Sequence, residues 1–370
     1  MNHVRNSRKR HFYNNIKPPK KQGEISNGVK INPNFKEIEE ALDRWADKIY
    51  PSKKAFIEIL RSRKKLIIYH GVDPTAPHLH LGHSTNYLLL KKFQDLGHEI
   101  ILLIGDFTAQ IGDPTGKSVV RKPLTKEQVL KNCQTYQKQA GKILNFKFLK
   151  NPAKLKFNSQ WLNKLTSEEI VKLAANFTHG KIIKRNMFQQ RMRQKKEIYL
   201  HEFLYPLFQA YDSLALNVDV EVGGTDQTFN MLRGRDLMKI YRQKEKFVIT
   251  TPLLINPKTG KKLMSKSEGN FIALDDKPNE MFGKIMALPD EIILTCFRLC
   301  TKVPLKEIED LEKVKKNLEE KGIKIDSSSL DWVAKEEIKL DEKQKEACQK
   351  LFEALDENEA VQEIYSNLKL

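Results

Sequence analysis

Two short strings hold the residues best equipped to handle a charged substrate. Gly71-Val72-Asp73-Pro74-Thr75-Ala76-Pro77-His78-Leu79-His80-Leu81-Gly82-His83 sets two imidazoles three positions apart with a glycine between them. It lies where a short apolar strand gives way to a helix, and a helix N-terminus attracts anions through its free N–H groups. Leu263-Met264-Ser265-Lys266-Ser267 puts a lysine between two hydroxyls. Folded onto one nucleotide, these groups would hold its phosphates while an acyl group attacks. Taken alone, each string also fits a polar surface at a helix start or a solvated loop. Their order, the 186 residues between His80 and Lys266, and the elements around them give the pair its weight. Two other strings fail. Gly112-Asp113-Pro114-Thr115-Gly116-Lys117-Ser118 resembles a phosphate loop, but Ile111 stands where the first glycine is needed, and no G-x-G-x-x-G occurs.

The elements that must position these residues read as α/β. Ile38, Leu42 and Trp45, then Phe56, Ile59 and Leu60, recur at helical spacing between Phe35 and about Arg63. Leu66-Ile67-Ile68-Tyr69 is a short buried strand, Gly71 to Leu79 a loop broken by Pro74 and Pro77, and a helix follows to about Leu96, where Gly97 stops it. Ile100-Ile101-Leu102-Leu103-Ile104 is a second, wholly apolar strand. Strand, helix and strand with continuous apolar runs indicate a parallel, Rossmann-like sheet with its ligand at the carboxyl ends of the strands. Residues 117–200 are basic and poor in glycine, and they read as a helical insertion. A helix near Phe203–Ala210, strands near Val218–Val222 and Phe247–Ile255, and helices over residues 278–300 complete the pattern.

Composition bounds the rest. The 370 residues, 40% apolar and 30% charged, can bury a full core in two or three domains. No apolar run is long enough for a membrane span, and no apolar signal core begins the chain, so a cytoplasmic protein is expected. Cys133, Cys296, Cys300 and Cys348 are scattered without zinc-ligand spacing, which predicts reduced thiols and no metal site. The net charge of +18 is uneven: residues 1–33 carry +7, in what reads as a flexible arm, and residues 304–370 carry −6. A basic body suits a polyanionic partner.

Longer strings make the reading specific. Gly105-Asp106-Phe107-Thr108-Ala109, Ile111-Gly112-Asp113-Pro114, the stretch from His201-Glu202-Phe203-Leu204-Tyr205 through Gln209-Ala210-Tyr211-Asp212-Ser213, and Gly223-Gly224-Thr225-Asp226-Gln227 accompany the two lysine and histidine strings. Together they resemble class I aminoacyl-tRNA synthetases, and within them the tyrosyl-tRNA synthetases, over about residues 35–310. The resemblance implies activation of L-tyrosine by ATP with Mg2+, followed by transfer to tRNA(Tyr). It makes His80 and His83 the HIGH-motif histidines and Lys266 the second lysine of the KMSKS loop. Gly71, Asp73, Thr75, Gly82, Gly224, Asp226, Met264, Ser265 and Ser267 become adenylate-binding positions. Tyr69, Asp113, Tyr205, Gln209, Asp212 and Gln227 become the tyrosine pocket, with Tyr69 and Asp212 suited to give and take a hydrogen bond at a phenol. It also implies a homodimer through the insertion. The first KMSKS lysine falls on Leu263, and Lys261 or Lys262 would have to replace it.

The implied organisation is a basic arm (1–33), a Rossmann-like catalytic domain (34–255, with the insertion at 117–200), a lysine loop and helical segment (256–310), and a small α+β appendage (311–370). The appendage is similar to the final stretch of the YebC family, or else is an ordinary acidic addition to the synthetase. Two other readings stay open at this point. One is a tryptophanyl relative, disfavoured by Tyr69 and Asp212. The other is a non-catalytic RNA-binding or translation-regulating protein on a synthetase body, which the departure at Leu263 and the unusual tail favour and the intact His80, His83 and Lys266 oppose.

Overall fold

The computed structural model describes residues 34–115, 123–147, 151–257, 259–264, 271–320, 338–339, 341–356 and 368–369. The basic arm, Ser265, Lys266, Ser267 and half of the stretch similar to YebC proteins lie outside them. The chain divides into two compact units, Met1–Lys302 and Val303–Leu370.

The first unit is built on a six-stranded sheet of order β1-β6-β5-β2-β3-β4. The strands are β1 (Lys48–Tyr50), β2 (Ile67–Val72), β3 (Glu99–Ile104), β4 (Lys154–Phe157), β5 (Val220–Gly224) and β6 (Phe247–Thr251). β1 runs antiparallel to β6, and the other neighbours are parallel. Side chains along β3 alternate between two cores. Ile100, Leu102 and Ile104 join one with Phe56, Leu89 and Phe93, while Ile101 and Leu103 face the other side with Tyr69 and Val218. Burial on both faces is why these strands read as unbroken apolar runs.

The helices that matter to the site are α1 (Phe35–Trp45), α2 (Lys53–Arg61), α3 (Leu81–Asp95), α4 (Leu200–Leu216), α5 (Thr228–Arg242) and α6 (Ile293–Cys300). α3 is the βαβ crossover; Tyr87, Leu89, Leu90 and Phe93 on it are almost wholly buried. Leu96 caps it, and Gly97 takes φ 97°, the left-handed turn expected of a glycine stop. α1 is clasped to α6 by Arg44, whose guanidinium donates to the carbonyls of Phe297 and Arg298, and by the Trp45 indole N–H, which donates to the carbonyl of Leu299 (3.1 Å). Cys296 and Cys300 on α6 pack against the core as free thiols.

Two expectations are corrected. Residues 117–200 are not purely helical, because Lys154–Phe157 forms the edge strand β4, parallel to β3. Its Lys-Leu-Lys-Phe sequence has the charges that an exposed edge demands, so it carries no apolar run. The segment 35–63 is not continuous helix either: β1 separates α1 from α2 and closes the opposite edge. At the base of the sheet, Asp219 accepts the N–H of Ile67 (2.9 Å) and pairs with Lys64 and Lys244, while His98 Nδ1 accepts the N–H of Leu66 (3.2 Å).

In the second unit, α7 (Leu305–Glu320) precedes β7 (Ile338–Lys339), α8 (Glu342–Asp356) and β8 (Leu368–Lys369), with β7 and β8 parallel. The boundary expected between 310 and 311 falls inside α7.

Burial lowers the His98 imidazole to about 4, and its bond from Leu66 requires an unprotonated Nδ1. In the unfolded chain it titrates near ~6.5. A group lowered in the folded state contributes stability that is present above the unfolded value and is lost as pH falls toward the folded one. Stability should therefore drop between about pH 6.5 and 4, with His98 contributing on the order of 2–3 kcal/mol by pH 4.5. His98→Asn keeps an acceptor without titrating, so its melting temperature should fall less over that range. Equal slopes for the two proteins would exclude His98 as the source.

Candidate active site

β2 and β5 pair through Ile68–Val220 and Tyr69–Glu221 and then part, each staying with its outer neighbour. Strand order reverses at this point, since the chain steps from β2 to β3 on one side and from β5 to β6 on the other. Open α/β sheets bind ligands at such a switch point. A cavity of about 730 Å³ opens there, within the size range of small-molecule sites.

Its floor comes from β2 and α4. Tyr69 is buried, and its hydroxyl lies 2.9 Å from Ser213 Oγ rather than against Asp212. The Asp212 carboxylate accepts from Trp161 Nε1 (2.7 Å) and Asn158 Nδ2 (3.2 Å). Burial pushes this carboxyl well above its usual range against the pull of those two bonds, and burial likewise raises the Tyr69 phenol. Gln209, one helical turn before Asp212 on α4, donates Nε2 to Glu221 (3.3 Å), while its buried Oε1 has no hydrogen-bond partner among the described residues. Pro206 interrupts α4 in the same stretch.

The rim carries carboxylates held in fixed poses. Asp73 accepts from Thr108 Oγ1 (2.7 Å) and from the Tyr205 hydroxyl (2.8 Å). Asp113 accepts from the Thr115 N–H (2.9 Å) and from Gln227 Nε2 (2.7 Å). Gly105 is required beside Asp73, because a Cβ there would lie 2.0 Å from Asp73 Oδ1 and 2.4 Å from Thr108 Oγ1. Gly224 is similarly confined, with a Cβ placed 2.8 Å from Asp226 Oδ1.

α3 begins at the same cavity. His80 is its N-cap residue, and the His80 and His83 rings lie 3.9 Å apart between centroids. His83 Nδ1 accepts the backbone N–H of His80 (3.1 Å). That nitrogen therefore lacks a proton, and Nε2 carries it. Burial takes His80 down to about 4, and burial with the adjacent His80 and His70 rings holds His83 well below its usual value. Both are therefore neutral rather than cationic at pH 7. Among the described residues, His80 Nδ1 is buried without a hydrogen-bond partner.

The lysine loop is tied to these histidines at both flanks. Leu81 N–H donates to Ile272 O and Leu274 N–H to Leu79 O (both 2.9 Å), and the Phe271 ring lies 5.5 Å from His80. On the other flank Met264 is buried, and its Cγ would lie 3.6 Å from a Cβ on Gly82. Leu263 is also buried, whereas Lys262 pairs with Asp226 (2.9 Å) at the cavity. Lys261 lines the cavity as well.

The sequence-predicted residues that are described thus converge: Tyr69, Gly71, Asp73, Thr75, His80, Gly82, His83, Asp113, Tyr205, Gln209, Asp212, Gly224, Asp226, Gln227 and Met264 all line one cavity. Lys266, Ser265 and Ser267 lie outside the described residues. Sequence reasoning missed Asn158 and Trp161, which hold Asp212, and Glu221, which contacts Gln209. A glutamate inside Val220-Glu221-Val222 was a visible signal, because a charge in a buried strand needs a partner.

A parallel sheet with a cavity at its switch point, neutral histidines at a helix start and a lysine hairpin against them define a class I synthetase core. The match to the family of class I tRNA synthetases (W and Y) spans residues 61–365. The chain belongs to the tyrosine–tRNA ligases, an enzyme family whose catalysis uses ATP. It is 47% identical over 271 residues to tyrosine–tRNA ligase of Haemophilus ducreyi, covering 73% of this chain and 67% of that protein. It is 47% identical over 278 residues to that of Carboxydothermus hydrogenoformans, covering 74% and 66%. The chain spans about two thirds of the length of these curated relatives. A truncated mitochondrial tyrosyl-tRNA synthetase of Aspergillus nidulans shares the fold, with TM-score 0.62 and 23% identity over 77% of this chain and 85% of that one.

Gly105→Ala should displace the Asp73 carboxylate, since both atoms it would strike belong to the Asp73–Thr108 contact. A loss of about 1–3 kcal/mol, the usual cost of overpacking, is expected in thermal or denaturant unfolding. An unchanged midpoint would mean that β3 shifts to admit the methyl group.

Proposed function

We propose that this chain activates L-tyrosine with ATP and transfers it to tRNA(Tyr), using the residues gathered at the switch-point cavity. The observation that carries this reading is the meeting of His80, His83 and the flanks of the lysine loop beside a cavity floored by Tyr69 and Asp212. The tyrosine carboxylate attacks the α-phosphorus of ATP, the bond to the β-phosphate oxygen breaks, and pyrophosphate leaves. A ribose hydroxyl at the tRNA 3′ end then attacks the carbonyl of the mixed anhydride and releases AMP.

No protein nucleophile is needed. The chain supplies position and preorganised donors. His83 offers Nε2–H to a phosphate oxygen, and Lys266 neutralises the departing pyrophosphate. Lys262, paired with Asp226, takes the place of the lysine missing at 263. Gly71, Asp73, Thr75, Gly82, Gly224, Asp226, Met264, Ser265 and Ser267 surround the adenylate. Asp113, Tyr205, Gln209 and Gln227 hold the amino acid, and the unpartnered Gln209 Oε1 suits its ammonium group. Tyr69 and Asp212 read the phenol. Among the described residues no group of three His, Cys, Asp or Glu is placed to hold a metal. Mg2+ would enter on the nucleotide phosphates, and no step is assigned to it.

Relatives named for tyrosine set the tryptophanyl reading aside, and the Lys262–Asp226 pair removes the support that Leu263 gave to a non-catalytic one. A homodimer through residues 117–200 is consistent with the apolar side chains exposed there, among them Val171 (61%), Met192 (52%) and Leu200 (81%) at its margin. Among the described residues no helix is long and apolar enough to cross a membrane, and a cytoplasmic site of action is proposed. The YebC-like likeness of residues 311–370 stays a proposal for that appendage.

His83→Ala and Lys266→Ala should each slow tyrosine-dependent ATP–pyrophosphate exchange by at least ~10²-fold, the scale of losing one preorganised donor. Near-normal exchange in both would sink the assignment, and exchange with tryptophan in place of tyrosine would redirect it. Because the tail is acidic and the arm basic, deleting residues 1–33 should weaken tRNA charging while exchange is unchanged. Charging as efficient as that of a longer relative, with or without the arm, would contradict this.

A further inference from the structure

Beneath the cavity floor lies a charge that the mechanism above does not use. Lys246 is fully buried, yet it does not line the cavity. Its ammonium donates to Ser213 Oγ (2.8 Å), to the Met231 carbonyl (3.1 Å) and to Glu221 Oε2, with which it forms an ion pair. Three hydrogens thus meet three acceptors. Gly234 makes room for the cluster, since a Cβ there would lie 2.5 Å from Lys246 Nζ and 2.6 Å from Ser213 Oγ.

The two side chains that Lys246 holds are those that hold the pocket. Ser213 Oγ contacts the Tyr69 hydroxyl at 2.9 Å, and Glu221 Oε1 accepts from Gln209. An ammonium has no lone pair, so Ser213 Oγ must accept from it. The single Ser213 hydrogen is then free for its nearest remaining acceptor, Tyr69 Oη at 2.9 Å, with Glu221 Oε2 farther away at 3.4 Å. With Tyr69 accepting from Ser213, its own proton is left for the cavity that it lines, where the Asp212 and Glu221 carboxylates are the acceptors already present. A phenol placed there receives a hydrogen bond from Tyr69 and gives one to Asp212.

We propose that Lys246 is a positioning residue for substrate specificity: through Ser213 it turns the Tyr69 hydroxyl into a donor toward the cavity, and through Glu221 it fixes Gln209. This rests on the reading of the cavity as a tyrosine site. Without the ammonium, Ser213 is relieved of its obligatory donor, and Tyr69 can spend its proton on Ser213 instead of on the substrate. Phenylalanine, lacking the hydroxyl, is indifferent to that reversal.

The test is pyrophosphate exchange with tyrosine and with phenylalanine in the full chain, alongside thermal melts. Lys246→Met should raise KM for tyrosine about tenfold, the scale of one lost hydrogen bond. It should lower the tyrosine-to-phenylalanine ratio of kcat/KM by a similar factor and leave KM for ATP unchanged. Lys246→Gln, which restores a donor to Ser213, should recover most of that ratio. An unchanged ratio, an equal loss for both amino acids, or a glutamine that recovers nothing would overturn the proposal. Should Lys246→Met not fold, Ser213→Ala removes the donor to Tyr69 Oη and leaves the neighbouring Glu221 carboxylate to draw the Tyr69 proton away from the cavity, so it should lower the same ratio; a wild-type ratio in that variant also overturns the proposal. A wild-type chain that activates no tyrosine would instead fail the functional reading, before any variant is compared.

Discussion

The parting of β2 from β5 is the constraint on which the molecule depends. Two residues on each strand pair, and beyond Tyr69 and Glu221 the facing backbone groups lose their ladder. Buried backbone groups without partners are costly, so the fork must be lined by groups that replace them. His70 does so directly: its Nδ1 lies 2.8 Å from the Val222 carbonyl, spanning the gap where a strand-to-strand bond would otherwise lie. That contact sets the His70 tautomer with Nδ1–H as donor. The cavity is thus a stretch of sheet left open and re-satisfied by side chains, and the glycines at 71, 223 and 224 keep its walls close to the backbone.

Electrostatics follow from the same burial. The fork is deep enough to strip charge from the histidines, and burial holds His80 and His83 below the ordinary imidazole value. Positive charge is placed elsewhere. Lys262 is on the rim, more than half exposed and paired with Asp226, while Lys246 lies below the floor, compensated by Glu221. A buried ion pair is weak evidence for stability but good evidence for orientation when its remaining valences are filled, as those of Lys246 are. Donors whose charge is modest and whose geometry is fixed suit a site that must release pyrophosphate after stabilising it.

Much of this was legible in the sequence. β2, α3 and β3 lie within two or three residues of where their apolar runs place them, because a parallel core leaves no polar side to blur the pattern. The convergence of the histidine string with Met264 was expected from the order and separation of the two strings and the elements around them; Phe271 was not foreseen. Edges were not legible. β1 and β4 are short, pair on one side and carry lysines, so neither shows the run that marks an interior strand. Side-chain networks were not legible either. Asn158 and Trp161 sit 54 and 51 residues from the Asp212 they hold, and no local spacing encodes such a pairing. Lys246 reads in sequence as one more lysine in Lys244-Glu245-Lys246, a solvated run; only the turn into β6 buries it.

The lysine hairpin is set by the pairing register of an extended segment beside the cavity. Ile255 bridges Lys262, and the Leu263 N–H donates to the Leu254 carbonyl, so residues 261–263 run extended beside 254–256. Neighbouring side chains on such a segment point to opposite sides. Leu263 joins the core cluster with Leu254 while both also line the cavity, and Lys262 reaches Asp226. Within this register Lys262, the residue before Leu263, is the cation that pairs with Asp226, and Lys261 lines the same cavity.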